Sequence, residues 1–324
     1  MRDIWNICCS FVAKYEQMRT VIGIGETVLD IIFRNYQPEV AVPGGSCFNS
    51  IISLGRAQVP CVFVGYTGGD IVGRQTVDFL QENGVCTDFF EMRDGEKSAI
   101  SLAYLNEQAD AEYVFYKPTP NAPDASPIPT FNRDDVMLYG SYYSICKLTR
   151  GQVSRVLQAA NEADAIVYYD LNFRRSHLQE LPELLPAILD NFHRSTIMRG
   201  SADDFEIVYG ERDARTIYEK HIRQHCPIFI CTSGPGLITV CTPHQYIDYT
   251  VPTIDAVSTV GAGDNFNAGF IYGLMREGIV KKDLEGLTSQ AWMRLLNYGC
   301  SFAAEACQSQ FNYIGAEFAK SLKD

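Results

Sequence analysis

Between Ser258 and Gly269 the chain reads Ser-Thr-Val-Gly-Ala-Gly-Asp-Asn-Phe-Asn-Ala-Gly, and a small, apolar run continues to Leu274. Gly261, Ala262 and Gly263 ahead of such a run predict a tight turn that opens a helix. The first N–H groups of a helix have no partner within it, and its dipole places positive charge there. The turn therefore suits an anion such as a phosphate. Asp264 is the unusual member, because a carboxylate beside a bound anion is repelled by it. Residue types alone leave two readings open. Asp264 is either a helix-capping acid or a base that takes the proton of a hydroxyl while a phosphoryl group is transferred next to it.

Four other groupings have residue types fit for chemistry. Asp170, Asn172 and Arg174 alternate at the end of a strand and so face one way; taken alone, they fit a solvated loop with an internal salt bridge better. Asp203 and Glu206 share a helix face and could hold magnesium through water, although an acidic first turn of a helix accounts for them more simply. Thr232-Ser233-Gly234 offers hydroxyl and N–H donors to a phosphate, or is a plain turn. Asp30 follows a buried strand and is either a ligand of a sugar hydroxyl or an N-cap or turn acid. The histidines at 177, 193, 221, 225 and 244 stand among polar residues and are read as surface groups. Tyr142-Tyr143 and Tyr168-Tyr169 are read as strand packing.

The elements that must position these groups are legible as apolar runs of strand length at 21–26, 61–65, 136–140, 165–170, 197–198 and 228–232. Helical patterns lie at 72–83, 150–163 and 182–192. An apolar helix opens at Asn49 after the turn Pro43-Gly44-Gly45-Ser46, and further helices start at Ala262 and near residues 287 and 298. Alternating strands and helices predict a mainly parallel sheet covered on both faces. Residues 237–242 and 246–251 read as an antiparallel pair. The segments 31–42 and 95–117 do not alternate with helices, and 98–105 with 112–116 reads as a hairpin. These segments predict a small second sheet that could act as a lid. In such folds ligands collect at the carboxyl ends of the strands. Asp30, Gly44, Gly45, Asn49, Asp170, Asn172, Arg174, Asp203, Glu206, Thr232, Gly234 and Asp264 would all gather there.

The chain has 324 residues, 46% of them hydrophobic, enough for an ordinary core without disulfide or metal staples. Its net charge of -12 argues against nucleic acid and anionic membrane as partners but leaves room for a nucleotide at a local site. The 11 cysteines lack metal or disulfide spacing, which fits reduced thiols in a cytoplasmic protein. No run has the length of a membrane span. Met18 begins a strand, so residues 1–17 are expected to be an N-terminal extension from a mis-assigned start, with a short amphipathic helix as the alternative, and 18–324 one domain.

Together these groupings resemble the ribokinase-type (PfkB family) carbohydrate kinases over essentially all of residues 18–318. That family's Asp-Thr-x-Gly-Ala-Gly-Asp signature is similar to Ser258–Asp264, and its Gly-Gly pair before an Asn is similar to Gly44-Gly45 and Asn49. Gly25-Glu26 with Asp30 matches its early pattern. Asp170 to Arg174 is similar to the Asp-x-Asn-x-Arg of its fructokinase and ketodeoxygluconate kinase branches, and Asp203 with Glu206 to its Asn-x-x-Glu magnesium motif. The resemblance implies a ribokinase-like α/β sandwich of about nine strands with a β-sheet lid, acting on a sugar with ATP and magnesium.

The resemblance further implies Asp264 as the base, with Gly261, Ala262 and Gly263 as the anion hole. Asp30, Gly44, Gly45, Asn49 and Arg174, with Ser98 and Tyr116 of the lid, would meet the sugar. Asp203, Thr232, Gly234 and Gly263 would meet the nucleotide, Glu206 the metal, and the helix near 301–308 the adenine. Where relatives carry the signature's first acid, which helps to hold a monovalent cation, this chain has Ser258, so a potassium site is not carried over. The leading expectation is a fructokinase-like enzyme of the cytoplasm. A 2-keto-3-deoxygluconate kinase would want an extra cation near Arg174, for which Lys97 and Lys117 are available. A non-catalytic sugar- or nucleotide-binding regulator is the reading from another class. Open lid edges are compatible with a homodimer.

Overall fold

Val21–Ile24 (β1) is buried along its whole length, as a strand covered on both faces must be. The structure, a computed structural model, describes residues 18–105, 111–116, 118 and 126–323. In chain order the next strands are Val28–Arg34 (β2), Gln37–Gly44 (β3), Cys61–Gly68 (β4), Phe90–Arg93 (β5), Ile100–Leu105 (β6) and Ala111–Tyr116 (β7). They are followed by Val136–Gly140 (β8), Ile166–Asp170 (β9), Ile197–Ser201 (β10), Ile228–Ser233 (β11), Leu237–Cys241 (β12) and Tyr246–Thr250 (β13).

Nine of these form one sheet in the order β13-β12-β11-β10-β9-β8-β1-β4-β5. The strands from β11 to β5 run parallel, and β12 and β13 fold back antiparallel. The chain leaves β1 for β4 on one side and reaches β8 on the other. The strand order therefore reverses beside β1, where open α/β sheets form a crevice.

Helices cover both faces. Ser46–Arg56 (α1), Ile71–Glu82 (α2), Ala262–Arg276 and Ser289–Cys307 pack on one, and Arg150–Glu162, Leu181–Arg194 and Ala202–Tyr209 on the other. We label the later helices by number where needed: Ser141–Ile145 is α3, Arg150–Glu162 α4, Leu181–Arg194 α5, Ala202–Tyr209 α6, Ala214–Ile217 α7, Ala262–Arg276 α8 and Ser289–Cys307 α9. Two separate apolar clusters, one per face, make the three-layer core. The remaining strands form a second sheet in the order β3-β2-β6-β7, with its own small cluster of Ile32, Val42 and Ala103.

The expected alternation and both sheets are present, with local differences. The first helix starts at Ser46, three residues before Asn49, with Gly45 at its N-cap. Residues 90–93, which no apolar run in the sequence marks, close the main sheet as β5, paired with β4. The two helices expected near 287 and 298 are one, α9, because Tyr298-Gly299 continues its apolar face without a stop. Tyr142-Tyr143 lies in α3 rather than a strand, while Tyr168 and Tyr169 are fully buried in β9. Residues 1–17, the hairpin loop 106–110 and Lys117 lie outside the described residues.

Candidate active site

Helix α8 opens from Gly261, whose φ of 76° is left-handed and suits glycine. A Cβ there would lie 3.0 Å from the carbonyl of Asn312. Asp264 stands in the first turn of α8. Helix α1 approaches it with a polar stripe, Ser46, Asn49, Ser50 and Ser53, at the spacing that places four side chains on one helix face. Ser46 Oγ donates to Asp264 Oδ1 at 2.8 Å and Asn49 Nδ2 to Oδ2 at 2.8 Å. Ser50 Oγ donates to the Asp264 carbonyl at 2.7 Å, and Ser53 Oγ to Asn265 Oδ1 at 2.6 Å. The other amide atom of Asn49, Oδ1, is buried without a partner. Enclosure between the two helices pushes the Asp264 carboxyl up to about 6; the bonds from Asn49 and Ser46 oppose the rise and the charge of Asp170 adds to it.

Asp30 comes from the small sheet. It is not a turn residue but a buried position of β2, paired with Val42 and Ser101. Its carboxylate accepts from Ser101 Oγ, and from Asn312 Nδ2 at 3.4 Å. Burial pushes it up to about 6 against the Ser101 bond, with negative charge at Glu26 and Asp264 adding. Gly44 gives the carboxylate room, since a side chain there would collide with Oδ2.

The ends of β9, β10 and β11 carry a buried polar network. Arg199 Nη1 donates to both oxygens of Asp170, at 3.0 and 3.1 Å, and Nη2 to Thr232 Oγ1 at 2.7 Å. Asn267, one turn along α8, donates to Asp170 Oδ2 at 2.7 Å and accepts from Tyr168 at 3.0 Å. Between this network and α8 lies a cleft of about 330 Å³ lined by Asn172, Arg174, Arg199, Ser201, Asp204, Thr259–Gly261, Gly263 and Asp264.

The expected residues divide. Asp264, the Gly261–Gly263 turn, Asn49 and Asp30 belong to one connected arrangement, and Arg174 lines the cleft. Asp203 and Glu206 do not line it: both are exposed and held by Arg212, at 2.7 and 2.5 Å. The cleft-facing pair from that segment is Ser201 and Asp204, at the same three-residue spacing. A capping box explains why. Ser201 Oγ accepts from the Asp204 N–H, and Asp204 Oδ2 from the Ser201 N–H, which turns Asp204 inward and leaves Asp203 and Glu206 outward.

Thr232 is buried with its hydroxyl on Arg199, and Gly234 is an exposed turn with φ 55°. Ser98 is held at the end of β4, its hydroxyl 3.0 Å from that of Thr67. Its Oγ donates to Asp70 Oδ1 at 2.6 Å and its N–H to Oδ2 at 3.0 Å, where Asp70 caps α2. Lys97 is near enough to Asp70 to favour its charge. Tyr116 is an exposed residue of the edge strand β7. Ser258 Oγ accepts from the Val260 N–H at 3.2 Å. Arg199, Ser46, Asn267 and Asn312 were not anticipated. The α1 stripe was open to detection from its spacing, whereas Arg199 and Asn312 sit in no motif.

Among the described residues no three or more His, Cys, Asp or Glu side chains gather as a metal-binding group, and no helix is long and apolar enough to cross a membrane. The chain is 23% identical over 280 residues to a probable fructokinase-3 of Arabidopsis thaliana, covering 81% of this chain and 80% of the relative. It is 28% identical over 269 residues to the aminoimidazole riboside kinase of Salmonella typhimurium, covering 80% and 82%. Its fold superposes on the crystal structure of a fructokinase from Vibrio cholerae O395, in a fructose-, ADP- and calcium-bound form, with a TM-score of 0.81 at 19% identity. That match covers 95% of this chain and 99% of the other. The pfkB family carbohydrate kinase profile matches residues 18–311, and the chain thus belongs to the pfkB family of carbohydrate kinases.

Proposed function

We propose that the protein transfers the γ-phosphoryl group of ATP to a primary hydroxyl of fructose. The observation that carries this reading is Asp264. A carboxylate raised toward neutral pH stands at the opening of a helix, fixed by Ser46 and Asn49, beside the N–H groups of Gly261 and Gly263, while that of Ala262 is taken by the Thr259 carbonyl at 3.2 Å. The carboxylate accepts the hydroxyl proton as the sugar oxygen attacks phosphorus and the bond to ADP breaks. The N–H groups of the turn stabilise the charge on the phosphoryl oxygens. Asp30 and the unpartnered Oδ1 of Asn49 orient sugar hydroxyls.

Oxygen donors at Ser201 and Asp204 suit a magnesium ion held through water. When bound, that ion neutralises charge on the nucleotide phosphates. The second sheet, placed by β2 and Asp30 at the edge of the site, would act as a lid that excludes water. Its outer strands are β3 and β7, with exposed Tyr36 in the turn before β3 and exposed Tyr116 on β7, which suits a homodimer through the lid. A monomer mass by light scattering at all concentrations would refute the dimer.

A second reading is a 2-keto-3-deoxygluconate kinase, favoured by the cleft-lining cation Arg174, which could meet an acid substrate. Coupled ADP release over fructose, ribose, aminoimidazole riboside and 2-keto-3-deoxygluconate distinguishes the readings by kcat/KM. No release with any of them would favour a binding protein. Asp264→Asn is expected to lower kcat by roughly 10²–10⁴-fold while nucleotide affinity holds. Turnover near that of the wild type would remove Asp264 as the base.

A further inference from the structure

Arg199 is a buried cation on which three elements converge, and the transfer reaction as described does not use it. Its Nη1 binds Asp170 at the end of β9, and its Nη2 binds Thr232 at the end of β11. The same two nitrogens lie 3.0 and 3.1 Å from where a Cβ would stand at Gly263, so the glycine backbone rests on the guanidinium. The ring of Phe266, in the next turn of α8, lies 5.8 Å from the guanidinium carbon. Asp170 also takes the bond from Asn267, so α8 is gripped at its opening and again one turn on. Arg199 lines the cleft together with Gly261, Gly263 and Asp264.

We propose that Arg199 is a positioning residue for phosphoryl transfer, holding the Gly261–Gly263 turn and Asp264 in place through its bridge from Asp170 to Thr232. A buried ion pair is a poor device for stability alone, since apolar residues of the same volume often serve as well. A planar, two-armed cation is suited to fixing three backbones at once, which a lysine cannot do. The bridge also has an electrostatic consequence. Asp264 is faced by Ser46 and Asn49 from α1, by Asp170 and Arg174 from β9 and the residues after it, and across the crevice by Asp30. Of these, Asp170 disfavours the charged form of Asp264, and Arg199 balances Asp170.

The proposal rests on Asp264 being the base of a kinase, and three variants of the full chain test it. Arg199→Lys keeps the charge and loses the bridge: kcat should fall about 10–100-fold, with sugar and ATP KM within about threefold and little change in Tm. Arg199→Met leaves Asp170 unbalanced, so the acid limb of the kcat/KM profile should rise by about one pH unit. Adding Asp170→Asn to Arg199→Met should bring the limb back. If Arg199→Met does not fold, Arg199→Lys and the double variant decide.

Wild-type kcat in Arg199→Lys, or a lowered Tm with an unmoved acid limb in Arg199→Met or the double variant's kcat equal to wild type, overturns the proposal. A wild type without sugar kinase activity defeats the kinase reading instead. The Asp264 titration, followed by carboxyl ¹³C NMR in the same variants, then replaces the acid limb, and a midpoint unmoved by loss of the bridge overturns the positioning role.

Discussion

Two carboxylates, Asp264 and Asp30, are both pushed up to about 6, chiefly by burial, and the charge of Asp264 adds to the rise of Asp30. For the reaction this means a base matched to neutral pH. Asp264 must be ionised to accept a proton, so kcat/KM should fall about tenfold per unit below pH 6, with a midpoint near 6. A profile flat to pH 4.5 would contradict this. For stability the sign is opposite to that of a salt-bridged acid. A raised folded-state pKa means that the folded protein binds the proton more tightly than the unfolded chain. Relative stability is therefore fully present below about 3.8 and is lost as pH rises through about 6. Asp30→Asn removes that penalty. Its Tm should exceed the wild type's at pH 8, by an amount corresponding to about 3 kcal/mol, and match it near pH 4. An equal difference at both pH values would show that the effect is not one of charge.

At the scale of elements, helix termini position the site. The opening of α8 carries Asp264 and rests on Arg199 at Gly263. Gly263→Ala would bring a methyl group to 3.0 Å from the guanidinium, so the turn must shift, and kcat should drop at least about tenfold with a smaller change in nucleotide affinity. Stopped-flow or steady-state kinetics beside nucleotide titration would check it. Capping organises the surroundings as well. Asp70 closes α2 through the Gly73 N–H and ties down Ser98 just before β6. Burial disfavours its charge, yet the bonds from Ser98 and Gly73 hold it down to about 2. Asp70→Ala should cost about 1–2 kcal/mol by chemical denaturation. A loss under a few tenths would show that this end of the second sheet is held by packing instead.

Across the whole molecule the two sheets meet at the site through a chain of polar contacts. Asp30 of β2 reaches Asn312, whose carbonyl accepts from Asn265 Nδ2 at 2.8 Å, and Asn265 also binds the Gly261 carbonyl at 2.8 Å. Asn312 thus joins the small sheet to the turn that opens α8, although it lies far away in sequence. Asn312→Ala should raise the sugar KM several-fold and change the ATP KM little. The opposite pattern would assign Asn312 to the nucleotide side.

The sequence by itself determined the class of fold, both sheets and the placement of Asp264, because these rest on local signals. Apolar runs of strand length, glycines before a helix and an acid after them are read without knowing what packs against what. It also placed Asp30, Gly44, Gly45 and Asn49 in one neighbourhood. Only the tertiary structure decided which acid after β10 faces the cleft. Asp203, Asp204 and Glu206 are equivalent as residue types, and a capping box two residues ahead of the expected pair turned Asp204 inward. Ser98 shows the same effect, since its partner Asp70 is fixed by how α2 meets the chain before β6. Arg199 and Asn312 could not be recognised in advance. Each acts through partners dozens to hundreds of residues away, and long-range hydrogen bonds leave no periodicity in the chain.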